Sequence, residues 1–277
     1  MAADGAVPSL VGSQSGPVAL PARRAALHPA LVFALYATPG LLVGPGYEAF
    51  REIVHLRGEV HVGDLFALER SLFPVATSSG TRALSDVIAA HPNAFLDVVT
   101  GITYTLFLIE VFVVAACLFF LKRPKMLELS VGFLLANLCG WTIWLLYPAA
   151  PPWYVDLYGL GPAVLDAPSN PAGMARLDAL LHVPLAANFY AKGANVFGAM
   201  PSLHVTYATL VAWVAFPVGG KLRWATIAFA VSMAFSAIYL RHHYILDVIV
   251  GMLLAPPAAL LAARVIALVR RQVRGTP

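Results

Sequence analysis

Tyr239-Leu240-Arg241-His242-His243-Tyr244-Ile245-Leu246-Asp247 is a knot of ionisable and aromatic groups set between two apolar runs. Trp224 to Leu240 carries no charge upstream, and Val248 to Ala263 carries none downstream. Each run approaches the roughly 20 residues that a helix needs to cross a bilayer. Ionisable groups at the edge of such a run are costly to keep, which marks the knot as a functional site. On a helix, His243 and Asp247 stand at i and i+4 and share a face. A carboxylate there can accept one imidazole N–H, fix the tautomer and leave the second ring nitrogen as base or nucleophile.

The rest of the chain agrees with two membrane-crossing runs. Hydrophobic residues make up 60% of the 277 residues and charged residues 12%, and mean hydropathy is +0.77. That composition excludes an ordinary soluble domain. The fold expected is an all-α polytopic membrane protein, six transmembrane helices in one bundle with short interfacial helices. A formal net charge of +4 does not imply a nucleic-acid partner. The basic residues sit at the ends of apolar runs, the positive-inside pattern. Cys117 and Cys139 fall inside expected spans and offer no disulfide framework.

Taken in order, residues 1–25 read as a mobile cytoplasmic tail lacking the features of a signal peptide. Residues 26–269 read as one domain. Its spans are expected at about Ala26–Gly44, Ala94–Leu121, Leu127–Tyr147, Pro201 to before Gly219, Trp224–Leu240 and Ile245–Val269. Segment 46–93 offers two amphipathic stretches, Tyr47–Leu56 and Arg82–His91, suited to lying on the membrane surface. Segment 148–199 is an interfacial loop rich in Pro, Gly, Tyr and Trp, and 270–277 a basic cytoplasmic tail. Six crossings put the basic clusters at 23–24, 122–125, 221–223 and 270–274 on one side, which the charge rule makes cytoplasmic in a plasma membrane. Segments 46–93, 148–199 and the 241–247 turn then share the extracytoplasmic face.

A second stretch, Gly198-Ala199-Met200-Pro201-Ser202-Leu203-His204, falls at the same depth on that face. With Pro201 as first helical residue, free N–H groups near Ser202 and Leu203 would make an anion site at a helix N-terminus. Arg241 adds a fork suited to phosphate oxygens. A phosphate held there suits attack by His243, oriented by Asp247, with His204 protonating the leaving oxygen. No metal or cofactor is required.

Pro201-Ser202-Leu203-His204 together with Ser236 to Asp247 resembles the second and third motifs of the type 2 phosphatidic acid phosphatase superfamily. The resemblance implies that His243 is the phosphate-accepting nucleophile, His204 the acid/base and Asp247 the residue that orients the nucleophile. Two positions depart from the general pattern: Ala237 replaces the third-motif Arg, and no Lys-x6-Arg-Pro first motif occurs. Tyr147 to Tyr154, Tyr158-Gly159-Leu160, Pro171 to Asp178, Val196 to His204 and His242-His243-Tyr244 are similar to the inositol phosphorylceramide synthase branch. That branch implies transfer of phosphoinositol from phosphatidylinositol to a lipid hydroxyl, releasing diacylglycerol. With the usual cations absent, Lys192 and Arg241 are the nearest phosphate contacts. Trp153 and Tyr154 are candidates for a sugar-facing platform.

Other readings of the same residues stand beside these. Lys192 and Arg241 equally suit snorkelling surface charges, and Trp153 and Tyr154 an aromatic belt. By ligand type alone His204, His243 and Asp247 also suit zinc. A lipid phosphate phosphatase, with water as acceptor, would use the same machinery. A transporter or scaffold would carry its ionisable groups nearer the midplane.

Overall fold

The computed structural model describes residues 27–192 and 195–275 and is predominantly helical. The expected tail at 1–25 lies outside the described residues. Helices α1 (Pro29–Leu41) and α2 (Val43–Ile53) run almost end to end. Pro39-Gly40 disturbs the backbone ladder between them. Ser130 compensates: its Oγ accepts the Gly40 N–H at 2.8 Å and donates to the Ala37 carbonyl at 3.2 Å. A hydroxyl from a neighbouring helix is the means by which apolar bundles tolerate such breaks. The surface helix expected at Tyr47–Leu56 is instead the continuation of α1, because its apolar face has a partner inside the protein. Phe50 and Tyr47 pack on Trp141, with ring centroids at 5.9 and 6.2 Å.

Helix α5 (Ala94–Thr105) meets α6 (Phe107–Leu146) at a 57° bend. Helix α6 is itself two arms. Lys122 leaves helical geometry (φ −158°, ψ 73°), and Pro124 falls in the first turn of the second arm, where its missing N–H is tolerated. Phe107 and Phe133 would lie about 39 Å apart on a straight helix at about 1.5 Å per residue. Yet their rings lie 6.1 and 4.7 Å from the same Tyr207 ring. The two arms therefore fold back on each other at Lys122, which separates the second and third expected spans.

The remaining long helices are α10 (Leu203–Ala215), α11 (Gly220–Tyr239) and α12 (Ile245–Gly275). Helix α10 is the hub, packed on α6, α11 and α12, and Val205, Leu210, Val211 and Val214 on it are wholly buried. Among the described residues, three helical stretches are long and apolar enough to cross a membrane: Pro29–Leu56, Gly220–Tyr239 and Ile245–Val273. The bent pair α5 and α6 makes a fourth if taken as one span, and Leu203–Val218 is a shorter apolar helix. The chain is a membrane protein built around these helices. Residues 270–275 continue α12 and are not a separate tail.

The two segments expected on the outer face, 46–93 and 148–199, are folded. The first holds α3 (Asp64–Leu72), strands β1 (Pro74–Thr77) and β2 (Gly80–Ala83), and α4 (Leu84–Ala89); the second holds α7 (Pro152–Tyr158), α8 (Ala175–Leu181) and α9 (Leu185–Tyr190). The antiparallel β1–β2 pair, closing at Thr77 opposite Gly80, corrects the all-α expectation. Val75, Thr77 and Thr81 are β-branched, and Ser78-Ser79 followed by Gly80 is a hairpin turn signal. Arg82 belongs to this hairpin, so the helix expected over 82–91 is confined to α4.

Candidate active site

The turn between α11 and α12 is pinned by its own backbone. Both His242 and His243 donate their N–H groups to the Ala237 carbonyl, at 3.1 and 3.0 Å. A larger side chain at Ala237, which is wholly buried, would crowd that turn. Arg241 adopts a left-handed φ of +65°, and its guanidinium is fully engaged. Nη1 donates to Asp86 of α4, while Nε and Nη2 fork onto Asp156 of α7. Burial works against this charge, and the two carboxylates more than restore it. The expected phosphate contact is corrected accordingly: Arg241 ties both outer segments to the histidine turn and does not line the cavity described below.

His204, in the first turn of α10, lies opposite His243, with ring centroids 6.0 Å apart. Sequence spacing alone placed these two side chains at one depth; the fold brings them to one point. His243 Nδ1 lies 2.9 Å from the Ala199 carbonyl and 3.6 Å from Asp247 Oδ2. Two acceptors face Nδ1, so the proton belongs there and Nε2 keeps its lone pair. The closer partner is the Ala199 carbonyl, a contact that residue type could not reveal. Asp247 Oδ2 also accepts the Tyr244 N–H at 2.8 Å, so the carboxylate both caps α12 and faces the imidazole.

Behind Asp247 stands a residue that sequence reasoning missed. Glu69 of α3 is wholly buried, with Oε1 accepting the Ile245 N–H at 3.0 Å and Oε2 the Leu246 N–H at 3.3 Å. Three successive amides at the start of α12 are thus held by carboxylates, as the positive end of a helix favours. Burial raises the Glu69 carboxyl above its ordinary range, against the pull of the two amide donors.

Helices α10 and α12 are locked at this level. The Ser202 N–H donates to the Asp247 carbonyl at 3.1 Å, and Thr206 Oγ1 donates to Ser202 and Gly251 carbonyls at 2.8 and 3.0 Å. Helix α10 starts at Leu203, with Ser202 as N-cap accepting from Val205. The Ser202 N–H is therefore not a free anion donor, and Ser202 is wholly buried. The open donors are one position later: the N–H groups of Leu203 and His204 have no hydrogen-bond partner among the described residues. A Cβ at Gly251 would stand 2.5 Å from the Ser202 carbonyl oxygen. Gly251→Ala should therefore cost about 1–3 kcal/mol, the usual price of overpacking. It should also lower activity by pushing His204 away from His243, read as a lower thermal midpoint together with reduced turnover.

His204 sits in an aromatic stack. Its ring lies 4.3 Å from Tyr104 and 4.4 Å from Phe107, and Nδ1 is 3.2 Å from Tyr104 Oη. Tyr104 stacks in turn on His242 at 4.8 Å, and His242 on Tyr190 at 5.2 Å. Burial, and after it the neighbouring His243, pushes the His242 imidazole down to about 3. Neutral in the folded protein, His242 gains a proton on unfolding below its ordinary value of about 6.5. Stability should therefore fall as pH drops from about 6.5 towards 3, by up to about 1.4 kcal/mol per unit. Thermal midpoints of detergent-solubilised protein between pH 7.5 and 5 should show this slope, and His242→Phe should make it shallower.

A cavity of about 570 Å³ is lined by His204, His242, His243, Ala199, Leu203 and Trp153, among others. Lys192 reaches its wall and is exposed. Trp153 is buried, its backbone N–H donating to the Arg241 carbonyl at 3.1 Å. Tyr154 is buried too but lies off the cavity, its Oη accepting the Val164 N–H at 2.7 Å and its ring against Phe197 at 5.2 Å. The aromatic belt expected of this pair is thus a packed core under the outer segment, and the substrate contact expected of Tyr154 is corrected to a packing role. Leu41 of α1 and Phe112 of the first arm of α6 line the cavity while remaining exposed, which gives it an apolar edge at the surface. Among the described residues no three His, Cys, Asp or Glu side chains converge as a metal site.

Two imidazoles, one with its tautomer fixed, and the first residues of α10, whose amides are open, line a chamber with an apolar edge. Such an arrangement can transfer a group from a lipid ester. The model of the PAP2 superfamily matches residues 64–261. The phosphoinositol dihydroceramide synthase of Bacteroides thetaiotaomicron is 36% identical over 239 residues, 84% of this chain and 74% of that protein. The inositol phosphorylceramide synthase catalytic subunit of Saccharomyces cerevisiae is 38% identical over 176 residues, 62% of this chain and 43% of that protein. The inositol phosphorylceramide synthase of Candida albicans is 34% identical over 179 residues, 62% of this chain and 37% of that protein. The chain spans less than half the length of these two fungal relatives. No solved structure matches.

Proposed function

We propose that this chain, which belongs to the PAP2 superfamily, transfers phosphoinositol from phosphatidylinositol to the hydroxyl of a ceramide-type lipid, releasing diacylglycerol. The single observation that carries the chemistry is the pairing of His204 and His243 at 6.0 Å over one cavity. The relatives' names supply the group transferred and the class of acceptor.

In the first half-reaction His243 Nε2 attacks phosphorus, and the bond from phosphorus to the diacylglycerol oxygen breaks. Protonated His204 gives its proton to that oxygen, leaving a phosphoinositol–His243 intermediate. In the second, neutral His204 takes the proton of the acceptor hydroxyl. The acceptor oxygen then attacks phosphorus, and the phosphorus–nitrogen bond breaks to regenerate His243. Asp247 and the Ala199 carbonyl hold the His243 ring in place throughout. The open amides of Leu203 and His204 are suited to the phosphoryl oxygens. Trp153 and Lys192 line the chamber beside them. A cavity of this size is that of a pocket for a small ligand, about 300–1,000 Å³. It suits a headgroup and the first part of the chains, with the tails left in the bilayer past the apolar edge at Leu41 and Phe112. Apolar and aromatic side chains around the two histidines limit the access of water to phosphorus, which would otherwise turn transfer into hydrolysis.

Six crossings, with both termini cytoplasmic and the site on the extracytoplasmic side, complete the reading. The fold-back at Lys122, the apolar stretch Leu203–Val218 and the basic residues at 122–125, 221–223 and 270–271 support it. The test is incubation of the purified chain with labelled phosphatidylinositol and dihydroceramide, followed by lipid mass spectrometry. A new inositol-bearing lipid is the expected product. Free inositol phosphate with no such lipid would make the protein a hydrolase instead.

A further inference from the structure

The catalytic cavity has a polar end that the reaction above does not use. Tyr47, Glu48 and Arg51 of α2 line it, facing Asn195. Helix α2 lies before residue 64, where the superfamily match begins. From these groups we infer that this end reads the polyol ring of the lipid headgroup and so sets which donor lipid the enzyme uses. The inference rests on the phosphoinositol transfer proposed above and deepens it.

Asn195 is the central observation. Its Nδ2 is buried and has no hydrogen-bond partner among the described residues, whereas buried amides are ordinarily satisfied. Its place is close to the chemistry: a Cβ at Gly198 would meet this same Nδ2 at 2.9 Å. Gly198 adjoins Ala199, whose carbonyl holds His243 Nδ1. An unmade donor thus lies beside the segment that seats the nucleophile. The Asn195 N–H donates to Tyr47 Oη at 3.2 Å, which fixes the phenol as acceptor there and leaves its own proton to give away. Arg51 Nη1 and Glu48 Oε2 pair at 3.0 Å on the exposed rim of the cavity, placing spare donors and a spare acceptor side by side.

The chemistry of that wall selects its ligand. A ring bearing adjacent hydroxyls both donates and accepts, and it matches an amide donor, a phenol, a guanidinium and a carboxylate together. A phosphomonoester would call for several unpaired cations, and with Arg51 balanced by Glu48 only Lys192 is left on this wall. An ammonium headgroup would call for an unpaired carboxylate or an aromatic cage, and Glu48 is balanced by Arg51. A second cavity of about 270 Å³ shares Arg51, Asn195 and Val196 and continues past Arg57. The polar end is therefore not sealed against a hydrophilic ring.

The experiment compares donor lipids in proteoliposomes containing the full chain, dihydroceramide, and phosphatidylinositol or phosphatidylglycerol. Products are read by lipid mass spectrometry. In Asn195→Leu and Arg51→Met, transfer from phosphatidylinositol should fall at least 10-fold more than transfer from phosphatidylglycerol, chiefly through a higher KM. Wild-type protein supplies a second measurement that no folding defect can confuse. myo-Inositol 1-phosphate should inhibit transfer at least 10-fold more strongly than glycerol 3-phosphate. Equal inhibition by the two, or folded variants that keep the wild-type donor ratio, would overturn the inference while leaving the transfer itself intact. A wild-type protein that moves no headgroup from phosphatidylinositol would instead remove the parent reading.

Discussion

His243→Ala should abolish transfer to the background rate, and His204→Ala should lower it by roughly 10²–10⁴-fold, the range of a lost general acid or base. The two imidazoles serve one phosphorus in turn, so the double substitution should cost little more than His243→Ala alone. His243 is buried with Nδ1 facing two acceptors and His204 is stacked on Tyr104, so each removal should also lower the thermal midpoint, and turnover is compared on protein shown to be folded. The covalent step has its own signature. An acid-labile, base-stable phosphoprotein should form with labelled phosphatidylinositol in the wild type and be absent from His243→Ala. A protein that retained transfer through both changes would owe its activity to some other group.

Glu69→Ala should be the most damaging substitution outside the histidines. It strips the Ile245 and Leu246 N–H groups of their acceptors at a place closed to water. Leaving buried donors unmet costs about 1–3 kcal/mol. The same turn carries Asp247 and follows His243 directly, so it should loosen as well. Transfer should fall roughly 10-fold to 100-fold, as expected when a reacting group is misplaced by about an ångström. Glu69→Gln keeps one carbonyl acceptor and should recover most of the stability and part of the rate. Melting curves and kcat measured together decide the matter. Were Glu69→Ala to keep both, the buried carboxylate would have no bearing on the site.

What was legible in the sequence follows the range of the interactions involved. His243 and Asp247 are four residues apart, so helix geometry alone placed them together. Pro201-Ser202-Leu203-His204 announced a helix start, and only the exact N-cap moved, from Pro201 as first residue to Ser202 as cap. The long apolar helices at Pro29–Leu56, Gly220–Tyr239 and Ile245–Val273 were legible because apolar run length is a local property. The groups missed were those reached across the chain. Glu69 meets Ile245 at a separation of 176 residues, and Tyr104 meets His204 at 100. Arg241 was misread for the same reason. Its partners Asp86 and Asp156 lie 155 and 85 residues away, and a lone cation beside a phosphate site invites the wrong pairing. Trp153 and Tyr154 looked interfacial because nothing local shows that Phe197 and the outer segment cover them.

The grip of Arg241 on Asp86 and Asp156 bears on how proteins of this architecture can diverge. The two acids come from different outer segments, so neither segment can be exchanged by itself without leaving a cation at the histidine turn short of a partner. A chimera that imports residues 148–199 from a relative lacking an acid at position 156 should express poorly, and a compensating change at position 241 should rescue it. Acceptor preference would then evolve through paired replacement of the two outer segments, with the histidine turn carried along as their common hinge pin.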